Sequence, residues 1–116
     1  MKKGDVVITS ILQADGKIKN RPTIILCEMP PYNDFLVCGI STRLHQYASG
    51  FDELIAPTDS DFGSSRLLSK SIIRLGFLTV IPDKDIVGVI GNIAPERHKK
   101  ILDRLGNYLI FKSIEK

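Results

Sequence analysis

The sequence has no tryptophan, three tyrosines, five phenylalanines, two histidines and two cysteines in 116 residues. Two cysteines cannot supply the multi-bridge framework that holds small secreted domains together. Cys27 and Cys38 sit inside apolar runs, form no CxxC pair and have no histidine at metal-ligand spacing. They read as small buried hydrophobes, and no metal or other cofactor is expected. Long hydrophobic runs are also missing. No apolar stretch approaches the ~20 residues that span a bilayer, and Met1-Lys2-Lys3-Gly4-Asp5 runs into a short alternating segment, not a signal-peptide core. The expected compartment is the cytoplasm, with no membrane contact. No repeat or low-complexity stretch divides the chain. A composition of 43% hydrophobic and 25% charged residues therefore suits one globular domain, residues 1–116.

Acidic charge is the minority. Sixteen lysines and arginines against thirteen aspartates and glutamates leave a net charge of +3, which favours an anionic partner without identifying one. Lys2, Lys3, Lys17, Lys19 and Arg21 crowd the first segment, whereas Asp52, Glu53, Asp59 and Asp61 form an acidic middle. This distribution predicts a domain with one basic and one acidic end, which an anion would approach from one side.

Apolar, β-branched runs predict strands over Asp5–Leu12, Thr23–Glu28, Phe35–Ile40 and Phe51–Ile55. Asp15-Gly16 marks a turn in the polar loop 13–20, and Pro22, lacking an N–H, suits the start of the second strand. Ser71–Leu75 and Phe77–Ile81 read as two apolar runs hinged at Gly76, and Ile86–Ile93 as a last strand or barrel corner. Pro57–Ser65 reads as a loop with room for a helical turn. From Pro95 onward, Ile101, Leu102, Leu105, Tyr108 and Leu109 recur at 3.6-residue spacing, with Lys99, Lys100, Asp103, Arg104 and Asn107 opposite. His98 falls on the apolar stripe as a packed histidine. The expected class is mainly β: a small antiparallel barrel or curled sheet closed by a C-terminal amphipathic helix.

Polar groups then stand out at strand ends. Arg21, Arg74 and the Ser41-Thr42 pair bring guanidinium and hydroxyl groups to places where a core has no use for them. Arginine's planar fork pairs with two phosphate oxygens and stays charged at any relevant pH. Hydroxyls add further donors. The competing readings are ordinary surface arginines and a serine–threonine pair that satisfies nearby backbone groups. His45 lies four residues after Ser41, with Arg43 between, and titrates near neutrality, so it is a candidate acid or base or else a solvated loop histidine. Lys17 and Lys19 flank Arg21 and could guide a polyanion. Among the few aromatics near loops, Tyr47 is the candidate for stacking on a base.

Taken in order, Gly4-Asp5-Val6-Val7, Arg21-Pro22 before an apolar strand, Cys38-Gly39-Ile40-Ser41-Thr42, Ile73-Arg74 and the terminal helix resemble the MazF/PemK family of bacterial toxin–antitoxin ribonucleases. The likeness spans nearly the whole chain. It implies an SH3-like barrel, a homodimer, metal-independent cleavage of single-stranded RNA such as mRNA, and a small cognate antitoxin that covers the cleavage groove. Carried over by position, the catalytic set is Arg21, Ser41 and Arg74, with His45 added from its own chemistry. Lys17, Lys19, Thr42, Arg43 and Tyr47 are the expected RNA contacts. Some relatives carry an aspartate two residues after the later arginine; here that position is Gly76. The glycine keeps open a rival reading, a non-catalytic barrel that grips RNA or inhibits a protein such as a topoisomerase.

Overall fold

Asp15 and Gly16 reverse the chain as their chemistry suggests. The Asp15 carboxylate accepts the Lys17 N–H at 2.9 Å, and Gly16 takes a φ of +83° that a side chain would resist. The computed structural model describes residues 1–112. Its elements are β1 Asp5–Leu12, β2 Ile18–Met29, β3 Asp34–Ser41, β4 Glu53–Ile55, α1 Phe62–Ser65, β5 Ser71–Ile81, β6 Ile86–Asn92 and α2 Pro95–Lys112. The strands form one antiparallel six-stranded sheet in the order β4-β5-β3-β2-β1-β6.

The second strand starts earlier than its sequence suggests. Ile18 to Pro22 pair with β1, with Pro22 opposite Ile8, while pairing with β3 begins only at Thr23. Pro22 thus stands where the strand has a single neighbour, the position in which a missing N–H is tolerated. The two runs around Gly76 are one strand with a wide bulge. Cys38 pairs with Leu78 but the next residue, Gly39, pairs with Arg74, so Leu75, Gly76 and Phe77 are extra. The Leu75 N–H, released from the ladder, donates to the buried Asp52 carboxylate at 3.0 Å.

Alternation along the strands splits the core in two. Val6, Ile24, Leu26, Cys38, Ile73 and Leu75 face α2, meeting Ile101 and Leu105. Val7, Ile25, Phe35, Val37 and Ile81 form a second cluster. Burial pushes the Cys38 thiol up to about 12. His98 is buried with Nε2 2.9 Å from the Leu26 carbonyl; because a carbonyl only accepts, Nε2 carries the proton.

The expected barrel is not closed by a strand ladder. β4 and β6 remain the sheet's two ends, and the gap is bridged by α1 and α2. Ser64 Oγ donates to the Asn92 carbonyl at 3.0 Å, and Gly91 lets the α1 backbone lie so near that any Cβ would overlap Ser64 O. Arg97 of α2 donates to Asp61, Asp59, Glu53 and the Leu54 carbonyl. Burial alone would raise the Asp61 carboxyl, but the Arg97 hydrogen bond, the Ala94 N–H and the Arg97 charge outweigh it and hold it below the ordinary carboxylate value.

Two expectations change here. The acidic middle is no open acidic surface, because Arg97, Lys100 and Arg104 neutralise it from α2. Arg104, expected opposite the apolar stripe on a solvated face, is instead partly covered against Glu53, whereas Lys99 and Lys100 stay exposed. The apolar stripe is buried at His98, Ile101 and Leu105, whereas Tyr108 and Leu109 are exposed where the helix outruns the sheet.

Candidate functional site

Register alone gathers the strand-end groups. Arg74 on β5 is opposite Gly39 on β3, and Gly39 is opposite Thr23 on β2. Residues directly opposed across an antiparallel sheet share a face. Two positions along each strand, on that same face, stand Arg21 and Ser41. This face is the one that carries the second core cluster, through Val7 opposite Thr23. Apolar side chains fill it at one end. At the other it opens into a groove of about 920 Å³, and Arg21, Ser41, Thr42, Arg43, Arg74 and Lys19 all line it.

The groove is cationic. Lys19, Arg21, Arg43, Arg66 and Arg74 face it with Asp15 as the single carboxylate among its lining residues. Arg21 is steered by Gln13, whose Oε1 accepts from Nη2 at 3.3 Å. Ser41 Oγ accepts the Arg43 N–H and donates to Gln46 Oε1, both at 3.1 Å. That pair of bonds fixes the hydroxyl at the mouth of the β3 strand.

Arg74 is different. No hydrogen bond or ion pair engages its guanidinium among the described residues, and its Nε is buried without a partner. Thr23 Oγ1, two strands across in the same row, is likewise buried and unpartnered. Unsatisfied buried donors are uncommon in folded proteins, and two in one row of one groove mark the place where a polar ligand would complete the structure. The guanidinium lies over Phe77, whose ring centroid is 6.0 Å from Cζ.

The remaining expected residues lie outside the groove lining. His45 and Tyr47 sit on and just after a 3-10 turn at Leu44–Gln46, both exposed. It is their neighbour Gln46 that reaches the groove. Lys17 is exposed in the β1–β2 turn. Sequence reasoning missed Gln13, Gln46, Arg66 and Phe77. Neutral amides and an apolar strand residue carry no chemical signal on their own, and Arg66 is aimed by the left-handed cap of α1, with φ 63°. Among the described residues no three His, Cys, Asp or Glu side chains are grouped to hold a metal ion, and no described helix is long and apolar enough to cross a membrane.

Two solved structures share this architecture. A Mycobacterium tuberculosis toxin, MazF-mt6, superposes with a TM-score of 0.68 at 18% identity, over 91% of this chain and 96% of its own. An endoribonuclease in complex with its cognate antitoxin, from mycobacterial species, superposes with a TM-score of 0.64 at 15% identity, over 94% of each chain. No curated protein sequence matches the chain. The family model for PemK-like, MazF-like toxins of type II toxin–antitoxin systems matches residues 2–109. With the fold, the groove and this near-complete match in agreement, the chain belongs to the PemK-like, MazF-like toxin family.

Proposed function

We propose that this toxin is a metal-independent, sequence-selective endoribonuclease that cuts single-stranded RNA, mRNA included, in the groove between the β1–β2 hairpin and β5. The observation that carries this reading is the unpaired Arg74 guanidinium, set on one face with Arg21 and Ser41 in a groove with five cationic side chains. Cleavage without a metal requires the ribose 2′-hydroxyl to lose its proton and attack the adjacent phosphorus, the P–O5′ bond to break with a proton delivered to the leaving 5′-oxygen, and donors to absorb the charge that builds on the phosphate oxygens. Arg21 and Arg74 supply bidentate donors of fixed charge, pre-positioned and not neutralised by carboxylates. The neighbouring Thr42 hydroxyl adds a neutral donor on the strand end, and Ser41 adds one when its O–H exchanges Gln46 for a phosphate oxygen. Lys19, Arg43 and Arg66 hold the flanking backbone.

The structural relative solved with its cognate antitoxin supports a small antitoxin as partner here, one whose acidic segment fills the same groove. The apolar side chains exposed at the end of α2, Leu109 at 56% and Phe111 at 65%, support a homodimer, because such surface normally meets a partner.

The test is direct. Purified protein is incubated with mixed-sequence RNA in EDTA, and the new ends are mapped. Discrete cuts that disappear in Arg21→Ala and Arg74→Ala support the reading. Intact RNA overturns the nuclease assignment, and RNA bound without turnover points to the non-catalytic barrel instead.

A further inference from the structure

Among the described residues, Phe77 is the single aromatic lining the groove. It belongs to the β5 bulge and is 37% exposed. Its position is set from below by Gly39: a Cβ there would lie 2.9 Å from Phe77 Cδ1 and 3.2 Å from Cγ, so only a glycine leaves room for the ring against the sheet. The bulge is braced on its far side, where Asp52 takes the Leu75 N–H and the Phe51 ring lies 3.8 Å from where a Gly76 Cβ would be. An aromatic ring in mid-strand normally serves a core. This one is absent from both core clusters and lies between the two unpartnered polar atoms of the row, Thr23 Oγ1 and Arg74 Nε.

We infer that Phe77 is a stacking platform for an RNA base next to the scissile phosphate. The assignment rests on the reading of the groove as an RNA site. A ring packed over a glycine, beside a guanidinium that no described carboxylate neutralises, matches what single-strand binders use: an aromatic face for the base and a cation for its phosphate. Stacking accepts any base, so Phe77 governs affinity and not base preference.

The probe is a set of mixed-sequence 2′-O-methyl hexanucleotides, which lack the attacking hydroxyl and stay intact, with affinity measured against salt. Phe77→Leu keeps an apolar side chain over Gly39, and Phe77→Tyr keeps the aromatic face; melting curves confirm that both fold. Stacking predicts about tenfold weaker binding for Phe77→Leu, recovery in Phe77→Tyr, and an unchanged salt slope, because no phosphate contact is lost. Binding by Phe77→Leu equal to that of the parent overturns the inference. So does a loss accompanied by a shallower salt slope, which would mean that the ring only aims Arg74 at the backbone. A parent protein that cuts RNA while Phe77→Leu binds normally removes the platform and leaves the nuclease. A parent that neither binds nor cuts removes both.

Discussion

At the scale of single residues, the groove arginines differ in what they cost the fold. Arg74 makes no ion pair among the described residues, so Arg74→Ala should lower the cleavage rate about a hundredfold or more, as removal of one transition-state donor does, and leave the melting temperature unchanged or raised. Arg74→Lys should not restore the rate, since an ammonium offers no planar fork. Single-turnover kinetics beside thermal melts would check both. His45 stands outside the groove lining, and His45→Ala is expected to keep the rate within about twofold with the same pH profile; a lost limb near neutral pH would return it to the reaction. The thiols give a simpler check. Cys38 is fully buried with its thiol pushed up to about 12, so iodoacetamide at pH 8 should label half-exposed Cys27 alone, read by mass spectrometry. Arg21, Ser41 and Arg74 were legible because charge and hydroxyl at strand ends contrast with their apolar surroundings. Phe77 was not, because a phenylalanine in a strand looks the same whether a bulge turns it to the core or to the groove.

At the scale of elements, the sheet and helix are joined by charge as well as by packing. Arg97, with only 13% of its side chain exposed, holds Glu53, Asp59 and Asp61 at 3.2, 3.0 and 2.8 Å. Arg97→Ala should cost about 3 kcal/mol by leaving the carboxylates without their counter-charge, measured by urea unfolding. The pH dependence follows from the sign of the Asp61 shift. Its folded value lies below the ordinary 3.8, so its contribution is complete above that value and is lost as pH falls through the lowered one. Acid titration of stability should therefore show a drop below about pH 4 that is smaller in Asp61→Asn. These links explain part of what the sequence left hidden. The β1 and α2 segments were readable from alternation and from the Pro95 start. The Arg97 clasp was not, because it joins residues 36 to 44 positions apart and each of its charges alone resembles an ordinary surface group. The helix periodicity runs on through Tyr108 and Leu109, yet burial stops at Leu105, since periodicity reports a face and not the length of the sheet beneath it.

At the scale of the whole molecule, charge is sorted by face. The cations of the groove are nearly unopposed, while Arg97, Lys100 and Arg104 of α2 are spent on Glu53, Asp59 and Asp61. RNA affinity should accordingly fall steeply with salt, with a slope reduced by about one in Arg43→Ala or Arg66→Ala and a similar loss for every RNA sequence. The mild net charge of +3 gave the sign of the partner but not its address. Only the ladder register, which sets residues 21, 41 and 74 side by side, could supply that.

The groove and the clasp occupy separate parts of the structure, and none of the Arg97 contacts passes through Arg21 or Arg74. A chain with Arg21 and Arg74 both replaced by alanine should thus keep its native shape while losing its toxicity. Such a disarmed copy could be overproduced in living cells without an antidote and used as bait to recover whatever neutralises the active form.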